Sequence, residues 1–255
     1  MELKLLLEEK VKQYNRPEFI AYDPISIPHK FTVKNDIEIA GYLTSIISWG
    51  RRPAILKSAN KLMDIMDLEP YNFIMNAGKK ELLQLEKFVY RTFNYYDCLY
   101  TIEGLKGLYS NYESMEDCAL KHFNTSGRIL DVIVGIRSEI LKTPHLKRSE
   151  KHFANPMTGS AAKRTNMFLR WMIRQDDNGV DFGLWKSIPP SALMIPLDVH
   201  SGNTARDLGL LVRKQNDWKS VEELTNNLRE LDPDDPVKYD FALFGIGVFD
   251  NKLIS

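Results

Sequence analysis

Two residues of this chain have a type and setting that suggest chemistry: Lys163 and Asp198. Lys163 closes a turn of small residues, Gly159-Ser-Ala-Ala-Lys163-Arg164, and opens the apolar and cationic run Met167-Phe-Leu-Arg-Trp-Met-Ile-Arg174. Asp198 lies in Ile195-Pro-Leu-Asp198-Val-His200, just before a helical pattern through Ala205 and Leu208. A lysine amine can act as a nucleophile when it is partly deprotonated, which burial and cationic neighbours favour. Arg164 is such a neighbour. A carboxylate at a helix N-terminus is held charged and oriented by backbone N–H groups, and so can stabilise positive charge that develops nearby. Taken singly, each residue has a plainer reading: a surface lysine, and an N-cap aspartate worth about 1 kcal/mol.

Helices must position this pair. Asn35 or Asp36 is placed to cap a helix carrying Ile37, Ala40, Leu43, Ile46 and Ile47, which Trp49-Gly50 ends. Pro53 stands in the first turn of a second helix through Leu56, Ala59, Leu62, Ile65 and Met66, and Pro70 closes that unit. Further helical patterns cover about 79–85, 96–109 and 129–141. The proline-broken stretch 21–31 reads as extended, and the polar segment 142–160 reads as loop. A helix follows from about Ser160 to Arg174, and another after Asp198. Asp217 is placed to cap a helix through Val221, Leu224 and Leu228. Asp235-Pro236 signals the start of a last helix through Phe241 and Phe244. The expectation is a single all-α domain over residues 1–255 with two helical lobes, 36–140 and 141–255 with the N-terminal segment, flanking a cleft.

Composition narrows the function. The chain has 255 residues, 44% of them hydrophobic, enough to bury a substantial core. Cys98 and Cys118 are its only cysteines, which excludes a disulfide framework and a four-cysteine cluster. His200 and Asp198 have no further His or Cys at ligand spacing, so no metal and no cofactor are expected. The acidic residues near the start do not suit a signal peptide, and no apolar run approaches the length of a membrane span. A cytoplasmic, monomeric protein without membrane contact is expected. Charge balances at 34 basic against 34 acidic residues, but its distribution is uneven. Between Lys142 and Arg174 eight basic residues face one acidic residue, Glu150. Such a stripe suits phosphate contact or a solvated face. His145 and His152, within it, read as facing water.

The segment Ala162-Lys163-Arg164-Thr165-Asn166-Met167 resembles the hairpin-to-helix junction of the 8-oxoguanine glycosylases of the helix-hairpin-helix DNA glycosylase superfamily, where the lysine opens the helix. Pro196-Leu-Asp198-Val-His200 resembles that superfamily's Pro-Val-Asp-x-His segment. The two motif residues stand 35 positions apart, closer to the archaeal 8-oxoguanine DNA glycosylases than to members with shorter gaps. Ile39-Ala-Gly-Tyr-Leu-Thr-Ser-Ile-Ile-Ser48-Trp49 resembles the first core helix, and Phe241-Ala-Leu-Phe244-Gly245 the closing helix. The chain also resembles an uncharacterised bacterial family of about this length. It departs from the glycosylase pattern in a hairpin with one glycine, Gly159, and in Ser48-Trp49-Gly50-Arg51 where many members have Ser-Gln-Gln-Thr.

The resemblance implies a glycosylase with linked strand cleavage, acting on duplex DNA that carries an oxidised purine such as 8-oxoguanine. Lys163 would be the Schiff-base nucleophile and Asp198 its electrostatic partner. Trp49, Arg51, His200 and Phe244 would serve the base pocket, Trp49 by stacking on an extruded base or by filling the core. Arg148, Lys151 and Arg164 would contact the DNA backbone. A DNA-binding protein without catalysis, or a protein-interaction domain, are the alternatives.

Overall fold

The structure is a computed structural model that describes residues 2–250. It is all-helical: among the described residues there is no β-strand, only isolated bridges at Tyr90–Phe93 and Ser160–Asp217. The helices are α1 (Glu2–Tyr14), α2 (Pro17–Ile20), α3 (Lys34–Ile47), α4 (Arg52–Ile65), α5 (Pro70–Asn76), α6 (Lys79–Leu83), α7 (Tyr95–Asn111), α8 (Met115–Ser126), α9 (Ile129–Ile140), α10 (Lys163–Ile173), α11 (Val199–Asp207), α12 (Trp218–Leu231) and α13 (Tyr239–Val248). They form two compact units. One runs from Tyr22 to Ala154; the other joins the chain up to Ala21 with the chain from Asn155 onward. The sequence pattern had suggested divisions near residues 36 and 141.

In the Tyr22–Ala154 unit, α8 and α9 pack side by side, α7 lies against α9, and α3 contacts α4 and α5. Ile39, Leu43, Phe88, Phe93, Leu105 and Ile133 are buried there. In the other unit, α13 is the central element, packed on α1 and on α11. Its core includes Phe168, Trp171, Trp185, Tyr239 and Phe241. The Phe168 and Trp185 rings meet edge to face at 5.6 Å. Both cysteines are buried and free, and burial raises both thiols. No helix among the described residues is long and apolar enough to cross a membrane.

Several local expectations are corrected. Asp36 does not cap α3, which starts at Lys34 with Val33 as its flanking residue. Its carboxylate accepts instead from Tyr71 N at 2.9 Å, where α5 begins. Pro70 opens α5 rather than closing the preceding unit. The stretch 21–31 is not extended: Pro24 and Pro28 each start a 3-10 turn, the first capped by Asp23. The segment 142–160 contains 3-10 turns at Lys147–His152 and Pro156–Thr158. Helix α8 lay outside the sequence reading, although Ser114 caps it and left-handed Gly127 ends it.

The basic stripe is corrected as well. Arg170 and Arg174 are buried in an ion-pair network, so they do not belong to a phosphate-binding surface. Asp181, itself buried, takes Arg170 Nε at 3.2 Å and Arg174 Nη1 at 3.0 Å. Arg174 also reaches Asp176 at 2.7 Å and Asp235 at 2.9 Å. Asp235 is thus spent on Arg174 and makes no side-chain cap. Both guanidinium groups lie over the Phe241 ring, at 4.4 and 5.4 Å. Removing one partner of a buried pair leaves an uncompensated charge. Asp181→Ala is therefore expected to destabilise the fold by about 3–5 kcal/mol in urea unfolding. A loss below about 1 kcal/mol would show that water or the remaining aspartates compensate the arginines.

Candidate functional site

Lys163 is the first residue of α10. The chain reaches it through a built turn. Asn155 caps the Pro156–Thr158 turn, and left-handed Gly159 closes it. Ser160 pairs with Asp217, and Trp218 N donates to Gly159 O at 3.2 Å. Ala162 is left-handed, with φ 48°, a strained setting for a residue with a Cβ. Its N–H donates to Ser160 Oγ at 3.2 Å, and its carbonyl accepts the first α10 bond, from Asn166 N at 2.9 Å. The Lys163 side chain is half-buried. Its amine reaches Met167 Sδ at 3.3 Å, one helical turn along, and makes no ion pair among the described residues. A thioether is a weak acceptor, so the amine has no strong partner there.

Asp198 caps α11 from an extended backbone. Its Oδ1 accepts from His200 N at 2.8 Å and Ser201 N at 3.0 Å, and Ser201 Oγ accepts from Asp198 N at 3.0 Å. The Ser201 hydroxyl also lies 3.3 Å from Oδ1. All of these bonds to the carboxylate fall on Oδ1; among the described residues Oδ2 takes none. Asn216 Nδ2 anchors the Asp198 carbonyl at 3.0 Å. The cap therefore orients the carboxylate through one oxygen, and the other takes no hydrogen bond among the described residues.

Asp240, in the first turn of α13, links the two motifs. It is buried and accepts a hydrogen bond from Arg170, two turns along α10 from Lys163. Burial pushes its carboxyl up to about 6; the charges of Arg170 and Lys163 pull the other way, and those of Asp198 and Asp181 add to the rise. Lys163 and Asp198 thus both act electrostatically on one buried carboxyl. Helix α13 can approach α11 closely because Gly247 has no side chain: a Cβ there would lie 2.8 Å from Thr204 Oγ1 and 3.1 Å from His200 O. Asp240 was not singled out in the sequence. The signal for its partner was present, since Arg170 follows Lys163 at i+7, the spacing of one helix face.

Asp240 has a consequence for pH dependence. Its folded-state carboxyl titrates at about 6 against an ordinary 3.8, so between those values the folded protein holds a proton that the unfolded chain has lost. Its contribution to stability is full below about 3.8 and is lost as pH rises through about 6. Asp240→Asn should remove this slope. Urea unfolding of both proteins from pH 4 to 7 checks it: the wild type should lose stability relative to the variant as pH rises. A pH-independent difference would refute the assignment.

The remaining candidate residues are divided between the units. His200 is exposed, and only its backbone N–H engages Asp198. Phe244 is half-buried, its ring edge-on to Phe19 at 6.5 Å and Phe249 at 6.3 Å. Arg164 is half-buried beside Lys163. Trp49, Arg51, Arg148 and Lys151 belong to the Tyr22–Ala154 unit. Arg148 bonds Asp97 at 3.1 Å and Thr92 O at 3.2 Å, while Lys151 and Arg51 are exposed. His152 does not face water: it is buried, stacked on Trp49 at 5.9 Å and edge-on to Phe93 at 4.9 Å. Among the described residues no group of three His, Cys, Asp or Glu is arranged to hold a metal ion.

The described residues form an all-helical protein in which α13 bonds α10 through Asp240 and Arg170 and packs on α11. Residues 23–249 match the model of the family described as "Protein of unknown function (DUF2400)", and the chain belongs to that family. No curated protein and no solved structure matches it.

Proposed function

We propose that this protein is a DNA base-excision glycosylase of the helix-hairpin-helix type with linked lyase activity, acting on an oxidised purine such as 8-oxoguanine in duplex DNA. The observation that carries the reading is the joint setting of Lys163 and Asp198. The amine stands at the head of α10 without an ion pair among the described residues, Asp198 caps α11 through Oδ1 alone, and the charges of both act on Asp240. The resemblance of both segments to the superfamily's motifs points the same way.

The chemistry suits the residues. The neutral Lys163 amine attacks deoxyribose C1′, forming a C–N bond as the C1′–base bond breaks and the base leaves with the electron pair. The sugar passes through an oxocarbenium-like state, whose positive charge a fixed Asp198 carboxylate stabilises. Transfer of one amine proton to the departed base, and protonation of O4′ by solvent as the sugar ring opens, give a protonated Schiff base; loss of a C2′ proton to solvent then expels the 3′ phosphate and cuts the strand. No metal enters the scheme. The test is borohydride trapping on a panel of duplexes carrying single lesions, with base release measured in parallel. A covalent adduct on an oxidised-purine duplex is the expected result. Duplex binding without adduct or base release would leave a DNA-binding protein without catalysis.

A further inference from the structure

Arg51 and Arg91 are the two arginines that make neither a hydrogen bond nor an ion pair among the described residues; the Arg91 guanidinium lies against Gly50, and Arg51 is the next residue in the chain. Three segments of the Tyr22–Ala154 unit build this place. The tight turn Tyr90–Phe93 is closed by Tyr90 N to Phe93 O at 2.8 Å and Phe93 N to Tyr90 O at 2.9 Å. It holds Arg91 in the left-handed region, at φ 53°, a strained setting that presents the side chain outward. The Tyr90 hydroxyl donates to Trp49 O, and the two rings meet edge to face at 5.0 Å. Gly50, at φ 100°, lets the Arg91 guanidinium lie against the backbone, since a Cβ there would be 2.8 Å from Arg91 Cζ. The third segment adds Arg148, whose Nη2 donates to Thr92 O on the same turn, and His152 on the Trp49 ring.

Charge separates these arginines from ordinary surface residues. Arg148 is neutralised by buried Asp97, and Arg52 is paired with Asp23 at 3.7 Å. Among the described residues no carboxylate pairs with Arg51 or Arg91. On a chain of zero net charge, two uncompensated guanidinium groups on one clasp form a local positive site. Each is a planar fork of donors that fits a phosphate better than an ammonium does.

We infer that the clasp around Gly50 is a phosphodiester-binding surface, with Arg51 and Arg91 gripping the backbone of duplex DNA. The identity of the polymer rests on the DNA reading above; the residues are separate from Lys163 and Asp198. This moves Arg51 from a base pocket to the backbone and adds Arg91, which the sequence did not mark.

The test is fluorescence anisotropy of the full chain with a labelled duplex, titrated at several salt concentrations. Arg51→Gln and Arg91→Gln should each weaken binding several-fold, equally across sequences, and reduce the magnitude of the salt slope by about 1. The double variant should reduce it by about 2. Arg91→Lys should retain most of the slope, because it keeps the charge. All should keep the wild-type unfolding midpoint. Slopes equal to wild type in both glutamine variants would overturn the clasp and leave the DNA reading standing. Absence of wild-type duplex binding in dilute buffer would overturn both. Reduced slopes in a protein that releases no base would support the clasp and refute the glycosylase.

Discussion

Lys163→Gln is expected to abolish the borohydride-trapped adduct while leaving duplex affinity and the unfolding midpoint close to wild type. A Schiff base requires a primary amine, and glutamine supplies only an amide nitrogen. The substitution should be benign for the fold. The amine makes no ion pair among the described residues, and its one hydrogen-bond partner is the Met167 thioether. The turn that positions the residue is held by backbone and hydroxyl contacts of Gly159, Ser160 and Ala162. Loss of trapping with retained binding therefore reports chemistry rather than structure. An adduct that survives in the variant would place the nucleophile elsewhere and break the match of this turn to the superfamily's hairpin.

Asp198→Asn should depress base release by about 10²–10³-fold, the usual scale for losing one preorganised electrostatic partner. Asparagine is nearly as good an N-cap as aspartate, so the bonds from His200 N and Ser201 N persist and stability should fall by less than about 1 kcal/mol. The charge is what changes: at Oδ2, which the cap does not use, an amide nitrogen or neutral oxygen replaces a charged one. Single-turnover base release and urea unfolding, run together, separate the two roles. A variant that unfolds readily, or one that is stable and fully active, would make Asp198 a cap and nothing more.

Much of the helical framework was legible in the residues. Periodic apolar positions marked α3, α4, α7 and α9, and Asp198 and Asp217 were correctly read as caps. Both capping signals are local, since a carboxylate reaches N–H groups two or three residues on without help from the rest of the chain. Asp36 and Asp235 carry the same local signal and cap nothing in their own segments. Each is drawn to a partner distant in sequence, Tyr71 N and the Arg174 guanidinium. A cap competes with such partners, and the outcome depends on packing that sequence spacing does not contain.

The same division runs through the site. The residue types and neighbourhoods of Lys163 and Asp198 were visible in the chain alone, because a small-residue turn before a helix and an aspartate before another are short-range patterns. Their shared action on Asp240 was not visible, since it arises only when α13 packs against α11. The basic stripe shows the limit most clearly. In sequence Arg170 and Arg174 continue a run of cations; in the fold they turn inward to Asp181, Asp240 and Asp235, while Arg91, unpaired among the described residues, is brought against Gly50, the neighbour of Arg51. Sequence by itself determined which charges the chain carries and which segments become helices. Tertiary structure alone decided which of those charges are neutralised, because pairing depends on distances of a few ångströms between residues that the chain does not place side by side.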